Sequence, residues 1–186
     1  MPIGTQVGDL LIMVYKYGAF DVGMTVPSGW TLVRNDQLSL AWKVAQIADT
    51  ASTLTFTSAS ARQMAAFVLR ISGAAASGSV ATSYITAANA PPVTTAWASA
   101  NHLAIAVYAQ RDAISALTSF SVPTDPAGLT TLIVQPETTS GSTTPAFLLA
   151  ASKVLENVTS FDPNSWTVTS SPTTQVASMA ILVQKA

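Results

Sequence analysis

Two short stretches alternate strictly between polar and apolar residues: Thr53-Leu54-Thr55-Phe56-Thr57 and Ser165-Trp166-Thr167-Val168-Thr169. A period of two belongs to a strand with one covered face. Leu54 and Phe56 then share a face, and Trp166 and Val168 share the matching face later in the chain. Over 38–44, Leu38, Leu40, Trp42 and Val44 lie on one side and Ser39, Ala41 and Lys43 on the other. The run 10–15, "LLIMVY", is apolar throughout and predicts a central strand covered on both faces. In 103–108, Leu103, Ile105 and Val107 alternate with Ala104, Ala106 and Tyr108. Segment 58–71 contains helix-favouring Ala and Met. Its later counterpart, "TTQVASMAILVQ", is rich in Thr and Val and has no helical stripe, so both read as strands. Short-spaced Pro, Gly, Ser and Asp turns, with no amphipathic helix between them, predict an all-β sandwich or barrel.

These strands come in two sets. "DLLIMVY" at 9–15 matches "HLAIAVY" at 102–108, and "VPSGWTLV" at 26–33 matches "VPTDPAGLTTLIV" at 122–134. "LAWKV" at 40–44 matches "LAASKV" at 149–154, "TLTFT" at 53–57 matches "SWTVT" at 165–169, and "MAAFVLR" at 64–70 matches "SMAILVQ" at 178–184. The spacing rises from 93 to 114 residues, as expected if only loops lengthened. Two copies are too few for a solenoid. They predict a single domain over 1–186 with two pseudo-symmetric halves, about 8–71 and 102–185, in a jelly-roll-like β-sandwich. Residues 72–101 connect the halves, with "VATSYITA" a candidate strand, "NAPPVTTAW" an edge segment, and part of the connector exposed. Pro27, Pro123, Gly29 and Gly128 are expected to shape the repeated turn. Trp30 is expected to plug one end of the sandwich, with Leu129 or Leu132 in that place in the second half. Lys43 and Lys153, at matched positions, are expected to mark solvent sides and blunt edge pairing.

Composition narrows the function. Charged residues form 9% of the chain, the formal net charge is -1, and 49% of residues are hydrophobic. An ordinary soluble domain is about 25% charged. No electrostatic footprint points to nucleic acid or an acidic membrane, and Gly, Pro and hydroxyl residues interrupt the one long uncharged stretch. A surface so weakly charged offers little repulsion between copies. Without cysteine there is no disulfide, thiolate metal site or Cys nucleophile. The single histidine, His102, opens a strand where Asp9 opens its counterpart, which favours a structural role. No G-x-S-x-G elbow occurs; Ser77 and Ser79 lie in a Gly/Ala linker. The nine carboxylates (Asp9, Asp21, Asp36, Asp49, Asp112, Asp125, Glu137, Glu156 and Asp162) form no metal-binding string. Only convergence of separate loops would make a calcium site or a hydrolytic carboxylate pair. Asn157-Val158-Thr159 fits a glycosylation sequon. Tyr17, Phe20, Tyr84 and Trp97 fall in or near loops and edges, and are the aromatic candidates for stacking on a sugar. No cofactor, metal site or catalytic group is expected.

The motifs Gly8-Asp9-Leu10-Leu11, Pro27-Ser28-Gly29-Trp30-Thr31, Trp42-Lys43-Val44, Thr55-Phe56-Thr57 and Phe67-Val68-Leu69 together resemble a recurrent β-sandwich module of bacteriophage virion proteins, of tail-fibre and head-decoration type. The resemblance spans nearly the whole chain, including the duplication. It implies a non-enzymatic virion structural protein, most simply a capsid-decoration or cement-type subunit forming a homotrimer. The implied partners are copies of itself and other virion proteins, such as the major capsid protein or tail components, with no nucleic acid or membrane. A tail-fibre module binding a receptor or host surface glycan is the alternative. Such modules often follow an anchoring or trimerising segment, whereas this chain starts almost at its first strand, which implies a stand-alone subunit or attachment through its own faces and loops.

Overall fold

The computed structural model describes residues 1–17, 24–50, 53–55, 57–58, 64–75, 80–112, 119–136, 146–169 and 173–186. The first half supplies β1 (Leu10–Tyr17), β2 (Met24–Thr25), β3 (Thr31–Arg34), β4 (Leu38–Val44), β5 (Thr57–Ser58) and β6 (Met64–Ile71). The connector holds β7 (Val80–Ile85) and β8 (Val93–Thr94). The second half supplies β9 (Ala100–Asp112), β10 (Ser119–Ser121), β11 (Thr130–Pro136), β12 (Ala146–Val158), β13 (Ser160–Phe161), β14 (Thr167–Thr169) and β15 (Thr173–Val183). A four-stranded antiparallel sheet runs β3-β4-β1-β6, and a five-stranded one runs β11-β12-β9-β15-β7. Two-stranded ribbons, β2–β5 and β10–β14, recur in corresponding places, and β8 pairs with β13.

The repeat extends to single residues. Leu10 pairs with Val44 as Leu103 pairs with Val154, and Leu11 with Lys43 as Ala104 with Lys153. A bulge separates Leu32 from Arg34, and an equivalent one separates Thr131 from Ile133. The sheets stack about a pseudo-twofold axis, so that β6 lies over β12 and β15 over β4. Two sequence matches are corrected. Ile12 pairs with Leu69 and Ile105 with Ile181, so the closing strands correspond two residues away from their sequence match. A two-residue shift keeps every side chain on its face, so hydrophobic patterning cannot detect it. At the repeated turn, Gly29 (φ +84°) corresponds to Gly128 (φ +82°), which puts Pro126 rather than Pro123 in the place of Pro27.

Because β1 and β9 are apolar on both faces, the fold has three cores. Leu10, Ile12, Val14, Leu38, Leu40 and Phe67 meet Ile105, Val107, Leu148, Met179 and Ile181 between the sheets. Leu11, Met13, Tyr15 and Trp30 form a second core on the outer face of the four-stranded sheet. Ala104, Tyr108, Leu149, Phe161 and Trp166 form a third, outside the five-stranded sheet. Trp30 therefore does not plug the sandwich end; it covers an outer face. Leu129 has the equivalent place, whereas Leu132 is 45% exposed at the bulge. The all-β sandwich expectation holds: two antiparallel sheets pack face to face, with β1 between β4 and β6 in one and β9 between β12 and β15 in the other.

Candidate functional site

Of the four aromatic candidates, Tyr84 and Trp97 have described side chains, and these two lie on opposite sides of the five-stranded sheet. Phe20 lies outside the described residues, and Tyr17 ends β1 with no described side chain. Tyr84, on β7, packs against the inter-sheet core, while Trp97 packs against the core on the other side of the five-stranded sheet. Both are half-buried. The Arg34 guanidinium carbon sits 3.4 Å from the centroid of the Tyr84 ring, a cation–π contact joining β3 to β7 across the sandwich. Burial and the Asp36 carboxylate push the Tyr84 hydroxyl above its ordinary pKa, against the opposing Arg34 charge. Trp97 meets the His102 ring edge-on at 5.5 Å. These contacts secure both rings to the frame.

The polar groups brace turns. Lys43, expected at a solvent-facing edge, is buried on an interior strand. Its Nζ donates to both carboxylate oxygens of Asp49, at 2.9 and 2.8 Å. The same Nζ lies 3.5 Å from where a Cβ on Gly29 would stand. Lys153, also on an interior strand, donates to the Ala127 carbonyl at 2.5 Å and lies 3.6 Å from the corresponding point on Gly128. Lys153 thus holds the repeated turn against its sheet, whereas Lys43 holds the turn at Asp49 and lies beside Gly29. Burial pushes the Asp49 carboxyl up, but the Lys43 ammonium and the Gln46 backbone N–H outweigh it and hold the pKa below the ordinary value. Asp9 behaves alike. Burial opposes its ionisation, while the Gln6 N–H at 2.7 Å and Arg70 Nε at 2.6 Å favour it and prevail.

Two buried polar side chains stand apart. Among the described residues neither ring nitrogen of His102 has a hydrogen-bond partner, and the ring is fully enclosed. Lys16 is fully buried and its Nζ also has no hydrogen-bond partner among the described residues. Burial, reinforced by the nearby Arg111 charge and opposed by Asp36, lowers its pKa to about 8. Lys16 continues the inward phase of Leu10, Ile12 and Val14, which is the one signal in the sequence for its burial. Of the carboxylates, Asp36 pairs with Arg34 at 2.6 Å, and Asp125, Glu156 and Asp162 are exposed; Asp21 and Glu137 lie outside the described residues, as do Ser77 and Ser79. Among the described residues, no three His, Asp or Glu side chains gather as metal ligands. Asn157 of the sequon is exposed in a positive-φ conformation (52°). No protein-family model, curated protein or solved structure matches the chain.

Proposed function

We propose that this chain is a non-enzymatic structural subunit of a bacteriophage particle, of the capsid-decoration or cement type, acting as a homotrimer on the virion surface. The observation that carries the reading is the use of the virion-module motifs as bracing for a duplicated sandwich. Asp9 anchors strand entry through Arg70, Gly29 and Trp30 form the repeated turn, and Lys43, beside Gly29, ties its strand to the turn at Asp49. The charged groups at these motifs serve rigidity. Apolar side chains remain on the surface at repeated positions: Val33 and Leu132, the bulged residues of β3 and β11, are 41% and 45% exposed. With so little surface charge, such positions favour packing against copies and against a shell. Modest contacts then add through multivalency. The separation of Tyr84 from Trp97 takes support from the glycan-binding alternative.

The test is light scattering of the purified chain, followed by incubation with virions from which it has been deleted. A trimer that returns to those particles and raises their resistance to heat is the expected result. A monomer at micromolar concentration that does not bind them overturns the proposal.

A further inference from the structure

The two sheets differ by one strand. β7 pairs with β15 in unbroken antiparallel register over Val80–Ile85. The chain then turns back across the outer face and is pinned there. Ser178 Oγ donates to the Ala87 carbonyl at 2.6 Å, Trp166 N to the Ala88 carbonyl at 3.3 Å, and Ser83 Oγ to the Pro91 carbonyl. Ala88, Ala90, Val93 and Trp97 pack into the outer core. One segment, 80–97, therefore supplies both a fifth strand and an apolar cover.

β6 is the counterpart of β15. Among the described residues it has β1 along one edge and no strand along the other. Beside it, on the outer face, lies an open groove of about 410 Å³ whose walls include Met1, Met13, Leu54, Ala66 and Val68. The vacant edge and groove correspond to the two places that 80–97 fills in the second half. β6 also lacks the usual protection of an edge strand. β3 and β11 are interrupted by bulges, and β11 ends at Pro136. β6 runs in continuous register from Met64 to Ile71 without proline, and its one charge, Arg70, is held by Asp9.

We propose that the β6 edge and its adjoining groove form a strand-accepting site, which takes an extended, uncharged segment of a partner protein as an antiparallel fifth strand. The chain itself supplies the template: small, β-branched and hydroxyl residues along the strand, followed by apolar residues that fold into the groove. An uncharged segment fits because the only charge on β6 is already neutralised. The second half takes a single strand in this place, β7, whose Tyr84 meets Arg34 of β3 across the sandwich. This site is independent of the virion assignment.

A synthetic peptide of residues 80–97 is the probe, read by hydrogen exchange on the intact chain. The expected result is slowing of the β6 amides by about tenfold or more, with β7 and β15 unchanged. A peptide carrying both Thr82→Pro and Ser83→Pro, adjacent positions of which one donates to the ladder in either phase, should protect less. Weak binding is covered by a second chain in which the same segment is tethered ahead of Met1 through a flexible linker. This raises its effective concentration to about millimolar and should raise the Tm. Protection confined to β7 and β15 would mean exchange of the native strand and overturn the proposal. So would unchanged exchange by the peptide together with an unchanged Tm in the tethered chain.

Discussion

Lys16 is the side chain whose position conflicts most with its chemistry. It points inward in phase with the core residues of β1, and among the described residues nothing accepts a hydrogen bond from its ammonium group. A base whose pKa falls on folding binds fewer protons folded than unfolded between the two values, so stability rises with pH there. For Lys16 that window runs from about 8 to the ordinary 10.5. Denaturant titrations across it should show a gain on the order of 3 kcal/mol. Lys16→Met should be more stable than the parent at pH 7 and lose the rise; a variant that retains the rise would assign it to another group. Lys43 and Lys153 match by position but not by what they hold. Lys43→Met strands a buried carboxylate and should cost about 3 kcal/mol, whereas Lys153→Met removes one charge-assisted hydrogen bond and should cost about 1 kcal/mol. Equal losses in chemical denaturation would contradict that difference. Asp9 and Asp49 have depressed folded pKa values, so their stabilisation is present above the ordinary 3.8 and is lost as pH falls through the folded values. Asp9→Asn and Asp49→Asn should each flatten part of the acid limb of the stability profile.

At the scale of the element, alternation identified faces but not what covers them. The doubly apolar pattern of β1 predicted a strand covered on both sides, and the outer core found there fulfils it. The same pattern could not place Trp30, because a turn residue has no strand phase and its cover depends on where the chain goes next. Lys43 looked like a solvent-facing residue because its neighbours alternate correctly. Its partner, Asp49, sits in a one-turn 3₁₀ segment, Ile47–Asp49, whose return over the strand leaves no periodic signal. The candidate strand "VATSYITA" was legible from composition. Its addition to the second sheet was not, since strand order depends on contacts between residues far apart. The separation of Tyr84 from Trp97 was illegible for a similar reason: nearness to a loop in sequence does not specify a side of a sheet.

The whole molecule is a pair of sheets, each useful only while the other is present. The first half alone would expose Leu10, Ile12, Val14, Leu38, Leu40 and Phe67, all buried in the complete chain. At roughly 1.5–3 kcal/mol each, this loss matches the entire stability of an ordinary domain, about 5–15 kcal/mol. A fragment of residues 1–75 should therefore give the poorly dispersed amide spectrum of an unfolded or associating chain. Mixing it with residues 76–186 should restore native dispersion. A well-dispersed spectrum from 1–75 alone would show that the outer core suffices.

Because the sheets divide the chain end to end, order of synthesis becomes order of exposure. The first sheet has all its strands once Ile71 is made, while β9, β12 and β15, which cover it, are still to come. At about 5–20 residues per second, its inner face waits on the order of ten seconds for that cover. A fold whose sheets interleaved early and late strands would have no such half-built, water-facing surface. Nascent chains arrested with only the first half outside the ribosome should bind a hydrophobic-surface dye or a chaperone, and full-length chains should release it.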